Sequence, residues 1–489
     1  MAERMLKFVA LGQAMPEKRP AELRAKDFEE IYRQWVEDNA QNQAGRCSQC
    51  GVPFCQIHCP LQNDIPDWLR LAAEGRWQEA YELSSATSTM PEICGRICPQ
   101  DRLCEGNCVI EKGFRSVTIG AVEKHITDLA WERGWVSEIE PMRERGESIG
   151  IVGAGPAGLA AADRLRTLGY KVTVYDRHDR AGGLLIYGIP NFKLDKGVVA
   201  RRVARLERAG VVFRLGFELG KDATLADLRA RHDAVLLAIG TYHARELKAP
   251  GVGLENVIEA LPYLIHANRV GLGDSLPERD MAHYDARGRR VLVIGGGDTA
   301  MDCVRTAIRQ QAKSVTCLYR RDRDNMPGSA REVAHAEEEG VRFEWLTAPE
   351  AFLGRRKVTA VRAHRMRLGP PDASGRQSPE PVPDSHMSFE ADLVILALGF
   401  EAEDIRAQCD APALETTRAG TIRLRRGGFM TSIDGVFAAG DIVRGASLVV
   451  WAVRDGQDAA VAIHRWISAS AASRGPARDS REPVAVAMS

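Results

Sequence analysis

Two stretches of this chain repeat one grammar, and the repetition limits the possible folds more than any other feature. "SIGIVGAGPAGLAAADRLRTLGYKVTVYD", from Ser148, and "RRVLVIGGGDTAMDCVRTAIRQQAKSVTCLYRRD", from Arg289, each read as apolar strand, glycine-rich turn, helix and second strand: one βαβ unit apiece. In the first, Gly153, Gly155 and Gly158 stand as G-x-G-x-x-G. Such glycines allow a tight turn, close approach of a pyrophosphate, and close packing of helix on strand. An ordinary tight βα turn would need the first and last of these properties alone. The following strand, however, ends on Asp176, about twenty residues on, where a carboxylate can accept hydrogen bonds from ribose hydroxyls.

The second unit has Gly295, Gly297 and Ala300 in the same positions, with Asp298 and Thr299 inside the turn. Laying "CLYRR" beside "TVYDR", tyrosine on tyrosine, sets Arg320 where the first unit has Asp176. A guanidinium fork pairs with a 2′-phosphate, whereas a carboxylate suits a free 2′-hydroxyl. NADPH is therefore expected at the second unit, with Arg320 and Arg321 on its phosphate. The alternative is a solvated strand end.

A chain of 489 residues exceeds one ordinary core and predicts about three domains. Lys plus Arg (66) equals Asp plus Glu (66), so no net charge recruits nucleic acid or an anionic membrane. The N-terminal stretch has too short an apolar run for a secretory signal, and no run of about eighteen apolar residues is present. A soluble, cytoplasmic protein is expected.

Eight of the eleven cysteines lie between Cys47 and Cys108. They form "CSQCGVPFCQIHCP" and "CGRICPQDRLCEGNC", within a region where Glu, Ala, Leu and Arg patterns predict helices and no strands. In a reducing compartment disulfides do not persist, which leaves metal or cluster ligation. Zinc is one possibility, since paired C-x-x-C is its common signature. The C-x2-C-x4-C-x3-C-P run is closer to those that hold iron–sulfur clusters, and a flavin fed by a nicotinamide nucleotide needs one-electron acceptors. Cys303, Cys317 and Cys409 read as small buried hydrophobes. Pro-rich 369–388 reads as a solvent loop and the tail 468–489 as disordered.

The first fingerprint, "LLAIGT", "ILALGF" and "GVFAAGD" resemble the two-dinucleotide-binding-domain flavoproteins. This resemblance implies an α/β fold with two Rossmann-like domains, the FAD domain first and the NADPH domain inserted in it. It also implies FAD contacts at Gly183, Leu184, Gly240, Gly440 and Asp441. "CSQCGVPFCQIHCPL", "CGRICPQDRLCEGNCV", "IGAVEKHITDLAWERGW", "GGLLIYGIPNFKL" and "YRRDRDNMPGSAREVAHAEEEGV" further resemble the small (β) subunits of NADPH-dependent glutamate synthases. Their N-terminal module occurs also in dihydropyrimidine dehydrogenase and in the large subunit of bifurcating NADH-dependent ferredoxin:NADP oxidoreductases.

The resemblance implies an α-helical iron–sulfur domain (1–145), an FAD domain in two parts (146–285 and 396–467) and an NADPH-binding domain (286–395). It implies two 4Fe–4S clusters whose ligands interleave: Cys47, Cys50, Cys55 and Cys108 for one, Cys59, Cys98, Cys104 and Glu123 for the other. Cys94 is the alternative fourth ligand, and Glu123 could equally be an ordinary helix carboxylate. The implied partner is a large (α) subunit carrying FMN, in a higher hetero-oligomer that makes L-glutamate from L-glutamine and 2-oxoglutarate. The chain starts Met-Ala rather than with a cysteine nucleophile, so glutamine chemistry is expected on the partner. An electron-bifurcating transhydrogenase subunit and a zinc-binding assembly scaffold are the alternatives.

Overall fold

The computed structural model describes residues 5–372 and 377–474. Before Ser148 its regular elements are all helical. Ile65–Ala73 starts with Pro66 in its first turn, where a missing N–H costs nothing. Ile119–Glu132 buries Ile119, Val122, Ile126, Leu129 and Ala130, one stripe of the helix, against Trp68, Trp77 and Ala40. Fully buried Trp68 donates its Nε1–H to Asn63 Oδ1 at 2.9 Å, so its one polar atom is satisfied inside this core.

From Ser148 onward the elements are β1 (Ser148–Val152), β2 (Lys171–Asp176), β3 (Val212–Leu215), β4 (Ala234–Leu237), β5 (His243–Ala244), β6 (Val257–Glu259), β7 (Arg290–Ile294) and β8 (Ser314–Leu318). They continue with β9 (Arg342–Glu344), β10 (Thr347–Gly354), β11 (Val358–Pro371), β12 (Gln377–Glu390), β13 (Leu393–Leu396), β14 (Phe400–Glu401) and β15 (Val436–Ala438). Two parallel five-stranded sheets result, ordered β15-β4-β1-β2-β3 and β6-β13-β7-β8-β9. In each, the strand feeding the glycine turn is central and nearly continuously buried, as a strand covered on both faces must be. Chain order reverses beside that strand, which opens a crevice at its carboxyl end. The helix Val449–Arg474 packs so closely on the helix Pro156–Thr167 that a Cβ on Gly456 would lie 2.1 Å from Ala157 O.

Three expectations are corrected. β6 pairs with β13 through Val257↔Val394, so the chain enters the second unit well before residue 286, by way of the antiparallel ribbon β5–β14. Three residues are too few to carry a strand period. Residues 369–371 and 377–388 are no loop: they belong to the antiparallel pair β11–β12, and 373–376 of the expected loop lie outside the described residues. β12 is the edge of its sheet, where Pro379, Pro381 and Pro383 leave no ladder donor missing inside the sheet. Finally, the last helix runs on to Arg474, past the point where disorder was expected, because small residues extend a helix already nucleated. Residues 475–489, the rest of that expected tail, lie outside the described residues.

Candidate functional site

The first glycine turn is shaped by backbone contacts. Gly153, at φ +108, would place a Cβ 2.2 Å from Ala238 O, and its N–H donates to Tyr175 O at 2.7 Å. A Cβ on Gly158 would lie 1.9 Å from Gly153 O, so helix and turn meet with no room for a methyl group. Gly155 differs: nothing stands within 4 Å of its Cβ position, and it opens the helix Pro156–Thr167, leaving an approach for an anion. Gly183 closes on this point, its Cβ position being 2.8 Å from Gly155 Cα. Asp176 is buried and accepts from Ala154 N at 2.7 Å and His178 N at 2.8 Å. The amides immobilise the carboxylate at the wall of a cavity of about 60 Å³, with acceptor capacity to spare.

The second turn repeats these contacts. A Cβ on Gly295 would lie 2.2 Å from Ala397 O, Gly297 faces open space, and Ala300 is packed in the core. The strand ends differ. Val152 pairs with Tyr175, whereas Ile294 pairs with Leu318, because the connection from helix to second strand, 310–313 against 168–170, is one residue longer in the second unit. Tyr319, not Arg320, therefore occupies the position of Asp176, and the tyrosine-on-tyrosine alignment is corrected by one residue. The Tyr319 ring lies against the turn, where a Cβ on Gly296 would come within 2.3 Å, and its hydroxyl donates to Asn325 O at 3.0 Å. No carboxylate stands there to repel a phosphate. Arg320 just beyond is exposed, and Arg321 is half-buried with its Nε unpartnered. Neither forms an ion pair among the described residues.

The second turn opens on a larger cavity that residues of the first unit also line. A cavity of about 690 Å³ is walled by Gly297, Asp298 and Thr299 of the second unit, by Leu184, Thr241 and Asp441 of the first, and by Cys98 of the helical domain. Leu184 opens the short helix Leu184–Tyr187. Gly240 immediately precedes Thr241, and Gly440, against Ala157, precedes Asp441. Burial pushes the Asp441 carboxyl up to about 6, although Ser447 Oγ donates to it at 2.7 Å. Buried Lys193 holds Asp302 at 2.8 Å across the two units. Among the polar groups of this wall Thr241 Oγ1 is buried and unpartnered, the condition of a hydroxyl whose partner is a ligand. Thr241, Lys193 and Asp302 lie inside motifs legible in sequence, but their convergence across domains leaves no trace there.

Charge couplings among the thiols link Cys47 and Cys55 to Cys108 in one set and Cys59 to Cys94 and Cys104 in another, across the two sequence quartets, with Cys55 also acting on Cys104. Burial pushes Cys55 up to about 12 and Cys47 to about 11, and the charges of Cys108 and Cys50 act on both. In the other group burial pushes Cys59 up to about 11, with Glu123 and Cys94 adding to it. Cys98 is raised first by its contact with Cys94, then by burial, Glu123 and Cys104. Cys104 is raised by burial first, then by Glu105, Cys59 and Glu123. Glu123 itself is pushed up to about 8 by burial, with Glu92 adding to it and no cation paired among the described residues.

Thiols and a carboxyl, partly to fully buried, that ionise with such difficulty suit a bound cation, which deprotonates its ligands and balances their charge. Among the described residues no three His, Cys, Asp or Glu side chains close up as they would on a single ion. The groups are loose assemblies with Cys94 and Glu123 both beside Cys98.

Residues 24–135 match the family described as dihydropyrimidine dehydrogenase domain II, 4Fe-4S cluster, and residues 147–456 match pyridine nucleotide-disulphide oxidoreductase. FprA of Mycobacterium tuberculosis in complex with NADPH shares the fold, at TM-score 0.58 and 21% identity over 68% of this chain and 86% of that one. Fold and site thus define an oxidoreductase that joins a pyridine nucleotide and flavin domain to a 4Fe–4S domain. The chain is 60% identical to a glutamate synthase (NADPH) small chain of Azospirillum brasilense, over 99% of both, and 45% identical to that of Escherichia coli strain K12, over 96% of this chain and all of the other. It belongs to the family of glutamate synthase (NADPH) small chains. Among the described residues no helix is long and apolar enough to cross a membrane.

Proposed function

We propose that this chain is the electron-input subunit of an NADPH-dependent glutamate synthase, drawing electrons from NADPH for a large, FMN-bearing subunit that makes L-glutamate from L-glutamine and 2-oxoglutarate. One observation carries this: a single cavity is walled by the second glycine turn, the Leu184–Thr241–Asp441 surface and Cys98. Nucleotide, flavin and iron–sulfur ligands so placed are neighbours.

When bound, FAD supplies hydride acceptance with one-electron release, and 4Fe–4S clusters supply one-electron carriage. The chain's residues bind and orient. Gly153, Gly155, Gly158, Asp176, Gly183, Leu184, Gly240, Gly440 and Asp441 would hold FAD. Gly295, Gly297, Asp298, Thr299 and Ala300 would hold NADPH, with Arg320 and Arg321 on its 2′-phosphate. Cys47, Cys50, Cys55 and Cys108 would hold one cluster; Cys59, Cys98, Cys104 and either Glu123 or Cys94 would hold a second. No general base is required, since bringing a nicotinamide and a flavin ring into a near-attack pose is a matter of position.

On the segments that carry Cys50, Cys55 and Cys108, Val52, Phe54, Ile57, Val109 and Phe114 are large apolar side chains each more than two-fifths exposed. An apolar rim around redox ligands suits a docked protein partner, here the large subunit, in a higher hetero-oligomer. Cysteines kept for cluster ligation rather than disulfides favour a reducing compartment, and a cytoplasmic location is proposed on that ground.

The test is anaerobic iron, acid-labile sulfide, zinc and flavin analysis of the chain, alone and copurified with its large partner. One FAD with about eight irons and eight sulfides per chain is expected. Zinc without sulfide would return the cysteines to a structural role.

A further inference from the structure

The nucleotide unit is joined to the first unit by the short ribbon β5–β14, so its orientation over the cavity depends on side-chain contacts with its neighbours. The most connected of these lies at the helix Ala330–Glu338. Ser329, at its N-cap, supplies no capping side chain. Asp101, on the loop between Cys98 and Cys104 of the helical domain, supplies one instead. Its carboxylate accepts from Ala330 N at 2.9 Å and from Ser329 Oγ at 3.1 and 3.2 Å. A carboxylate there satisfies an orphan amide and lies in the favourable field of the helix N-terminus.

The same residues are fastened to the second glycine turn. Ser329 N donates to Asp298 Oδ1 at 3.0 Å, and Gly328 N donates to Gly296 O at 2.9 Å. On the far side Arg331 donates to Glu105 Oε2 at 2.7 Å and to Gln100 Oε1 at 3.1 Å. The other oxygen of Glu105 accepts from Gly120 N at 3.0 Å, at the start of the helix that carries Glu123. Ser329 and Glu105 are both more than nine-tenths buried. An unbroken run of short contacts therefore joins the nucleotide turn to the thiol loop.

We propose that Asp101 is a positioning residue for hydride transfer. From the iron–sulfur domain it caps a helix of the nucleotide domain, and so holds the second glycine turn over the cavity in register with the Cys98–Cys104 loop. Misplacement by about 1 Å is enough to slow a transfer that depends on ring stacking. By reciprocity, nucleotide binding and the order of the thiol loop stabilise each other. The inference rests on the reading of the second unit as the NADPH site.

The experiment uses the full-length holoenzyme. Flavin bleaching by NADPH is followed after anaerobic rapid mixing, and NADP⁺ affinity is measured separately by equilibrium binding. Removing hydrogen bonds to a charged group predicts that Asp101→Ala slows flavin reduction at saturating NADPH by about tenfold and weakens NADP⁺ by about fivefold. FAD, iron and sulfide contents should stay at the parent's level. Asp101→Asn, which keeps one acceptor oxygen for Ala330 N but loses the other and the charge, should recover part of the rate. Wild-type bleaching and affinity in Asp101→Ala would overturn the proposal. Should Asp101→Ala lose iron, Ser329→Ala decides: it leaves the thiol loop untouched, is expected to slow bleaching about threefold, and overturns the proposal if it does not. Failure of the NADPH reading shows differently, as a parent protein whose flavin NADPH does not bleach.

Discussion

The two dinucleotide units make the same contacts at their turns, and two of the positions where they differ separate what builds such a turn from what chooses its ligand. Each first glycine sits 2.2 Å, at its Cβ position, from a carbonyl of the neighbouring strand, Ala238 O or Ala397 O. Each second glycine faces open space. Each sheet also fastens the start of its central strand to an aspartate: Ser148 N donates to Asp233 Oδ2 at 2.8 Å, and Arg290 N to Asp392 Oδ2 at 3.0 Å. The third fingerprint position, however, is Gly158 in one and Ala300 in the other, and the strand ends on Asp176 in one and Tyr319 in the other. Backbone sterics therefore dictate the turn, while the strand end carries a carboxylate in one unit and a tyrosine followed by two arginines in the other.

The comparison breaks most visibly at the third position. Gly158→Ala forces a Cβ against Gly153 O and should weaken FAD by about 10- to 100-fold, the 1–3 kcal/mol of an overpacked contact. Ala300→Gly in the other unit should cost about 1 kcal/mol or less and leave NADP⁺ affinity within about threefold. Flavin-to-protein ratios and titrations check both; full flavin in Gly158→Ala would show that the turn can yield. Next in size is the ribose site. Arg320→Asp should lower the NADPH-to-NADH ratio of kcat/KM by about 10- to 100-fold, the loss of a charge-assisted contact. Tyr319→Asp should move the same ratio in the same direction by a smaller factor, because it restores the carboxylate that the observed register places opposite Asp176. An unchanged preference in both variants would remove the charge contrast between the units.

The smallest effect concerns the strand clamps. The hydrogen bonds from Arg290 hold the Asp392 carboxyl down at about 2. A depressed carboxyl contributes stability that is full above its unfolded value of about 3.9 and is lost as pH falls through about 2. Asp392→Asn should therefore lower the urea midpoint by a constant amount between pH 8 and pH 5, worth under about 1 kcal/mol for a half-exposed pair. A difference that already shrinks between pH 7 and pH 5 would contradict this assignment.

Both units could be read from sequence because their period and their glycines are local. The thiol groups could not be read in the same way. Spacing divides the cysteines into two consecutive quartets, yet Cys108 acts on Cys47 and Cys55, and Cys94 and Glu123 act on both Cys59 and Cys98. Interleaved ligands are what the resemblance implies and the spacing alone does not. The β11–β12 pair was hidden for a related reason, since its prolines suppress strand propensity and are tolerated at a sheet edge, a position that exists only once the sheet is assembled.

The amino-acid sequence by itself determined the two nucleotide turns, the helical domain that carries eight cysteines and the charge contrast between an acid and an arginine pair, because each depends on residues within a few turns of one another. The tertiary structure alone decided that Tyr319 stands opposite Asp176, that Thr241, Asp441, Thr299 and Cys98 share one cavity, and that Asp101 caps a helix more than two hundred positions away. The physical reason is that these juxtapositions follow from how sheets twist, how one domain inserts in another and which buried polar groups must find partners, and none of those is local in the chain.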